Sequence, residues 1–184
     1  RDFGKSSEPD GAGGPRDRGS VFVIQKHDAT SLHYDFRLEV DGVLKSWAVP
    51  KGPSTDPREK RLAIRTEDHP LDYAEFEGVI PEGEYGAGSV LIWDRGTYRN
   101  ITEKDDGLRA MEDALADGHV LVWLDGEKIS GGYALQRIDD EKDQWLLIKM
   151  DDAEADARRN PVSTEPRSVV SGRDLDEISG EEGE

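Results

Sequence analysis

LHYDFRLEVDGVLKSWAVP, residues 32–50, reads as two strands joined by a tight turn. Leu32, Tyr34, Phe36 and Leu38 alternate with His33, Asp35 and Arg37. That period of two places the apolar set on one face of a strand and the polar set on the other. Asp41–Gly42 is the dipeptide that suits a two-residue hairpin, and VLKSWAVP supplies the returning strand. Just upstream, VFVIQKH (residues 21–27) is a third strand.

Outward from this hairpin the pattern repeats. PKGPSTDPREK is a loop by its three prolines. RLAIRTE is a strand, and EDHPLDYAEFEGVIPEGEYGAG is expected as a long irregular connection. SVLIWDRGTYRN gives a strand or a pair; HVLVWLDG, EKISGGYALQRI and QWLLIKM give three more. DDGLRAMEDALADG is the one clear amphipathic helix, with Leu108, Met111 and Leu115 on one face. Asp105 or Asp106 is its expected cap, and Gly118 suits the residue just past its end. Seven or eight short strands with one helix make a mainly β fold, a small barrel or a sandwich. The expected organisation is a flexible N-terminal arm over residues 1–19, a barrel domain over 20–150 and an acidic C-terminal tail over 151–184. In that tail SGRDLDEIS is a candidate short helix with Ser171 as its cap.

Composition narrows the function. The 184 residues contain no cysteine, which excludes disulfides, thiolate nucleophiles and cysteine zinc sites. No run of about 18 apolar residues is present and no signal peptide is recognisable, so no membrane association and a cytoplasmic location are expected. The net charge of -17 argues against broad DNA coating, because polyanions repel. The charge is uneven, however: from Ser20 to Thr66 there are 8 basic residues against 6 acidic ones. A nucleic-acid contact is therefore expected to be small and local.

The chemistry gathers on the polar face of the hairpin. His33 and Asp35, with His27 on the preceding strand, form a borderline-hard ligand set suited to Mn²⁺, Fe²⁺ or Zn²⁺. Three protein ligands leave open positions on an ion, as a catalytic metal requires. Arg37, next along the face, has the fork that matches phosphate oxygens. The same alternation also dresses an exposed strand with solvated charge, and spacing alone leaves both readings open. His69 and Tyr73 lie in a proline-containing segment expected as a loop, and His69 is a candidate third ligand, general acid or phosphate contact. Lys51 and Arg61 flank the proline loop and are candidate phosphate cations. His119 reads as structural, and the glycines of PEGEYGAGS read as turn and bulge glycines rather than a phosphate loop.

FVIQKHDATSLHYDFRLEVDGVLKSWAVPKGPS resembles the phosphoesterase domain of bacterial DNA ligase D, as do EDHPLDYAEFEGVIPEGEYGAGSVLIWDRGTY, QWLLIKM and SVVSGRDLDEI. Stand-alone members occur in that family. The resemblance implies a compact β-barrel with a manganese-dependent activity on 3′ ends of nucleic acid strands in end joining. A diesterase step would remove a terminal ribonucleoside, and a monoesterase step would turn the remaining 3′-phosphate into a 3′-OH. By motif position His27, His33 and Asp35 become metal ligands for Mn²⁺, with Zn²⁺ and Co²⁺ compatible. Arg37 and His69 become contacts to the scissile phosphate, Tyr73 joins them, and Lys51 and Arg61 assist. The implied substrates are DNA or RNA–DNA 3′ ends at primer–template junctions. Candidate partners are a DNA ligase, a polymerase or a Ku-type protein, and the chain is expected as a monomer. The alternative is a non-catalytic adaptor that binds DNA ends or a ligase. The intact histidine, aspartate and arginine cluster argues against it.

Overall fold

The computed structural model describes residues 20–105 and 107–182; the arm expected over residues 1–19 lies outside them. The strands are β1 (Ser20–Asp28), β2 (Leu32–Val40), β3 (Val43–Val49), β4 (Lys60–Pro70), β5 (Gly78–Ile80), β6 (Gly88–Asn100), β7 (Glu103–Lys104), β8 (Gly107–Leu108), β9 (His119–Gly126), β10 (Ser130–Asp139) and β11 (Gln144–Lys149). Three helices, α1 (Met111–Asp117), α2 (Pro161–Thr164) and α3 (Leu175–Glu182), and a 3₁₀ turn, Leu71–Glu75, complete the described residues. None of these helices is long and apolar enough to cross a membrane.

The sheet runs β1-β2-β3-β4-β11-β10-β9-β6, and β6 pairs back onto β1, so the eight strands close into an antiparallel barrel. Of the two expected architectures the barrel is the one formed. Closure leaves β1 with a partner on both sides and no free edge. The turn between β2 and β3 is as the Asp41–Gly42 pair demands: both residues have positive φ, 52° and 84°.

The apolar half of each alternation fills the barrel. Phe36, Leu38, Trp47, Trp93, Tyr133 and Trp145 are each under 2% exposed. Each such side chain contributes about 1.5–3 kcal/mol through burial. Trp47 and Trp145 meet edge to face at 5.6 Å, the geometry their quadrupoles favour. Ile178 of α3 is also fully buried in this core, with Val162 and Leu175 packed beside it. The segment after β11 thus lies on the barrel, where Trp93 Nε1 donates to the Glu165 carbonyl at 2.8 Å.

Three local readings need correction. Leu108 is not on the helix: it lies in β8, is 67% exposed, and the helix starts only at Met111, with Ala110 rather than Asp105 at its cap. Residues 107–109 are held extended instead, by Arg109 N donating to Thr102 O at 2.7 Å and Asn100 Nδ2 donating to Arg109 O at 2.5 Å. At the other end Gly118 closes α1 in the left-handed conformation, as expected. The terminal helix α3 is capped by Asp174, not Ser171. Glu177 N donates to Asp174 Oδ1 at 2.9 Å and Asp174 N donates to Glu177 Oε1 at 3.0 Å, a reciprocal capping box. The Ser171 hydroxyl is occupied with Glu77. Finally, the connection after RLAIRTE is more regular than expected. β4 runs on through His69, the 3₁₀ turn carries Tyr73, and β5 adds to the flank of β6.

Candidate active site

The polar half of the hairpin faces outward from the barrel, yet it is not solvated. Gln25, His27, Asp35, Arg37 and Ser46 are all buried, none more than 7% exposed. Two segments cover them. The 3₁₀ turn is tied down by Gln25 Nε2, which donates to the carbonyls of Tyr73 at 2.9 Å and Phe76 at 3.0 Å. The loop between β5 and β6 reaches over from the other side, its Gly86 carbonyl lying 2.7 Å from His27 Nε2. The stretch is therefore a sheltered cluster, not a solvated strand face.

His27, His33 and Asp35 converge. Cross-strand pairing sets His27 directly opposite His33, with their rings 4.9 Å apart. One ligand atom from each residue falls within 4.8 Å of the others. His27 Nδ1 is 3.5 Å from Asp35 Oδ2, and His33 Nε2 is 3.1 Å from Asp35 Oδ1.

The far side of each ring fixes its tautomer. A carbonyl only accepts, so His27 Nε2 donates to Gly86 O at 2.7 Å and His33 Nδ1 donates to Ser31 O at 3.1 Å. In the neutral rings, His27 Nδ1 and His33 Nε2 then turn lone pairs toward the Asp35 carboxylate. Lone pairs facing a carboxylate are mutually repulsive unless a positive charge stands among them. Either protons or a cation meets that requirement, and a ligand imidazole steadied by a carbonyl on its other nitrogen is the usual support of a metal site. The electrostatics agree. Burial pushes the Asp35 carboxyl up, but the contacts with His27 and His33 and the Arg37 charge outweigh it and hold it well below the usual carboxylate range. The Asp35 contact, against the opposing effect of burial, raises the pKa of His33. The donor set of two nitrogens and one carboxylate oxygen fits a borderline-hard divalent ion.

Arg37 is 3% exposed and locked in place. Its Nε donates to Gln25 Oε1 at 2.6 Å, its Nη1 to Ser46 Oγ at 2.8 Å, and its Nη2 is 3.3 Å from Asp35 Oδ2. Its guanidinium carbon lies over the Tyr73 ring, 5.0 Å from the ring centre.

His69 comes from a strand end rather than a loop. Between Leu44 and Ser46 the β3–β4 register slips, so that Leu44 opposes His69 while Ser46 opposes Thr66. This bulge at Glu67–Asp68 brings His69 onto the outer face beside Arg37. His69 Nδ1 is 3.2 Å from Arg37 Nη1 and 3.1 Å from the Glu67 carbonyl. It can accept from the first or donate to the second, not both at once. Burial and then the Arg37 charge lower the His69 pKa, which favours the neutral ring. With Arg37 donating to Nδ1, the proton sits on Nε2, available to an oxygen of a bound anion.

Among the described residues no hydrogen bond or ion pair joins Lys51 or Arg61 to the triad. Arg61 pairs with Leu147 and alternates with the core residue Ala63, so it stands on the inner face at a barrel end. Its Nη2 meets Glu59 Oε1 at 3.1 Å and its Nη1 donates to the Lys51 carbonyl at 3.4 Å. Lys51 is exposed in the turn after β3. His119 is exposed at the start of β9, away from this cluster.

Sequence reasoning missed Gln25, Ser46 and the Gly86 carbonyl. Gln25 had a signal: it shares strand parity with His27, and a polar residue at that position on a sheltered face must have partners. The PEGEYGAGS glycines do take positive φ, at Gly83, Gly86 and Gly88, as turn glycines should.

Comparison with known proteins agrees with this geometry. Residues 25–137 match the family model of the DNA ligase D 3′-phosphoesterase domain. The chain is 49% identical over 181 residues to the multifunctional non-homologous end joining protein LigD of Pseudomonas aeruginosa, covering 95% of this chain and 21% of that protein. It is 53% identical over 151 residues to the multifunctional non-homologous end joining DNA repair protein LigD of Mycobacterium tuberculosis, covering 82% and 19%. With the LigD of Mycolicibacterium smegmatis it shares 47% identity over 156 residues, 83% and 20%. The chain thus spans about a fifth of the length of these relatives. A closed barrel, a sheltered His–His–Asp triad against an arginine and a histidine, and these matches together place the chain in the DNA ligase D 3′-phosphoesterase domain family.

Proposed function

We propose that this chain is a metal-dependent 3′-end-healing phosphoesterase acting on DNA ends in end joining. A diesterase step releases the 3′-terminal ribonucleoside and leaves a 3′-phosphate, and a monoesterase step hydrolyses that phosphate to a 3′-OH. The observation that most supports this reading is the pair of tautomer-fixed imidazoles aimed with Asp35 at one centre, flanked by Arg37 and His69. His27 Nδ1, His33 Nε2 and an Asp35 oxygen would hold the ion, Mn²⁺ by preference and Zn²⁺ or Co²⁺ as alternatives. When bound, it supplies Lewis-acid polarisation of a phosphoryl oxygen.

The remaining work falls to this chain's own groups. Arg37, fixed on three sides, offers a permanent positive charge to the phosphate without having to reorganise. His69 donates a hydrogen bond from Nε2 to a phosphate oxygen. To act as the acid it first takes up a proton from solvent at Nδ1, which then donates to the Glu67 carbonyl; the imidazolium gives its Nε2 proton to the departing oxygen and is left neutral. Tyr73 buttresses both, its ring 5.0 Å from that of His69 and 5.0 Å from the guanidinium. Lys51 and Arg61 act on the strand beyond the scissile phosphate rather than at the reacting atoms. A ligase, polymerase or Ku-type protein would be the partner that presents the end.

The test uses a labelled primer–template ending in one 3′ ribonucleotide, with Mn²⁺, Zn²⁺ or EDTA, beside His33→Ala. Wild type with metal yields a shortened strand ending in 3′-phosphate and then 3′-OH; His33→Ala and EDTA yield neither. Normal metal-dependent turnover by His33→Ala would sink the ligand assignment. Binding without cleavage under any metal would move the assignment to an adaptor.

A further inference from the structure

Tyr85 is the most exposed large side chain among the described hydrophobic residues, at 84%. An aromatic ring left in water ordinarily retracts, and this one is held out. Two turns brace its loop, with Glu84 N donating to Pro81 O at 3.2 Å and Ala87 N donating to Glu84 O at 3.1 Å. Its hydroxyl donates to Glu67 Oε1 at 3.4 Å. Both anchors lead straight to the reaction centre. The next residue, Gly86, carries the carbonyl that fixes His27, and a Cβ added there would lie 3.7 Å from the His27 ring. Glu67 carries the carbonyl that contacts His69. The ring therefore stands at the rim of the site, one residue from the partner of one catalytic imidazole and hydrogen-bonded to the residue that contacts the other.

We infer that Tyr85 is a stacking platform for the 3′-terminal nucleobase, positioning the last nucleotide so that its phosphate meets the triad. The inference rests on the phosphoesterase reading and adds a positioning residue to it. The physical case is one of elimination. A chain of net charge -17 cannot hold a strand by a broad basic surface, and Arg37 is buried at the centre rather than spread along a groove. Stacking needs no charge and tolerates every base, since each has a π face. An end-cleaning enzyme must accept any terminal base. A single ring at the rim, rather than a hydrogen-bonding pocket, meets that need.

The experiment places 2-aminopurine at the 3′ terminus of a primer–template and follows its fluorescence on titration with the full chain in EDTA. Steady-state kinetics with Mn²⁺ then compare a base-bearing 3′ ribonucleotide with an abasic 3′ ribose. Wild type, Tyr85→Phe and Tyr85→Trp should quench the fluorophore; Tyr85→Ala should not. Tyr85→Ala should raise KM on the base-bearing strand about tenfold, the scale of one stacked base, with kcat nearly unchanged. The abasic strand should show no such difference. Exposure of the ring makes loss of folding in Tyr85→Ala an unsuitable explanation. Equal losses on both strands, a Phe variant as poor as Ala, or no quenching by wild type would each overturn the inference. Quenching by a wild-type chain that turns over neither strand would leave the platform standing and remove the enzyme reading instead.

Discussion

Replacing Gln25 with leucine keeps the volume of a fully buried side chain and deletes three hydrogen bonds. The first loss is the acceptor 2.6 Å from Arg37 Nε, which leaves a charged donor buried and unpaired. A hydrogen bond to a charged group is worth about 1.5–3 kcal/mol. The others are the two bonds to Tyr73 O and Phe76 O, each worth about 1 kcal/mol, with water able to recover part of that at the rim. The expected destabilisation is about 3–4 kcal/mol, read as a lower urea midpoint at unchanged slope. Turnover should fall further than stability explains, because Arg37 and the Tyr73 turn lose the same tether. Gln25→Glu sharpens the reasoning. It keeps an acceptor for Arg37 but turns a carboxylate oxygen toward two carbonyls, so it should fail to restore stability. A Gln25→Leu protein within 1 kcal/mol of wild type would refute the claim that this side chain joins the guanidinium to the turn.

Alkaline pH should unfold the protein steeply. Burial pushes Tyr34 up to about 12, and burial likewise raises Tyr98 and Tyr133, whose hydroxyls donate to Glu39 O at 2.6 Å and Ser54 O at 3.0 Å. Unfolded tyrosine titrates near 10, so the contribution of these groups is fully present below about pH 10 and, for Tyr34, is lost as pH rises through about 12. Tyr34→Phe should shift the midpoint of alkaline unfolding, followed by circular dichroism, to higher pH; no shift would show that Tyr34 ionises freely in the folded state. Gly88→Ala should be severe, since Gly88 has φ +132° and an added Cβ would fall 2.1 Å from the Asp28 carbonyl oxygen. A loss of more than about 3 kcal/mol, roughly 10 °C in Tm, is expected by calorimetry; a fall of under 3 °C would mean that the β1–β6 seam yields easily.

The parts of the molecule that were legible in the sequence are those written locally. Period-two alternation in residues 32–38 separates core from site residues, and the Asp41–Gly42 turn sets the hairpin register. The count of seven or eight main strands and the mainly β class follow from the same pattern. Closure does not, because nothing in VFVIQKH names its second partner, β6, some 65–75 residues away. His69 reads as a loop residue in the sequence because Pro70 follows it and a bulge shifts parity without leaving a composition signal. Which side of RLAIRTE faces inward is not legible in the sequence; pairing with Leu147 and alternation with Ala63 put Arg61 on that side. Leu108 matches a helical stripe, but its neighbour Arg109 is held extended, donating to Thr102 O and accepting from Asn100 Nδ2, a pairing the local pattern does not show.

Gln25, His27, His33, Asp35 and Arg37 all belong to one hairpin of two strands, β1 and β2. The rest of the candidate site, with His69, Tyr73 and the Gly86 loop, arrives from chain some 30–60 residues further on. The two halves thus have different contact orders: the ligand set can form as soon as a hairpin zips, whereas its covers wait for long loops to close. The proposed ion site and the proposed chemistry are therefore separable by mutation: a lesion in the β3–β4 bulge should cost turnover without touching His27, His33 or Asp35, whereas one at Gly86 should weaken both, because its carbonyl orients His27.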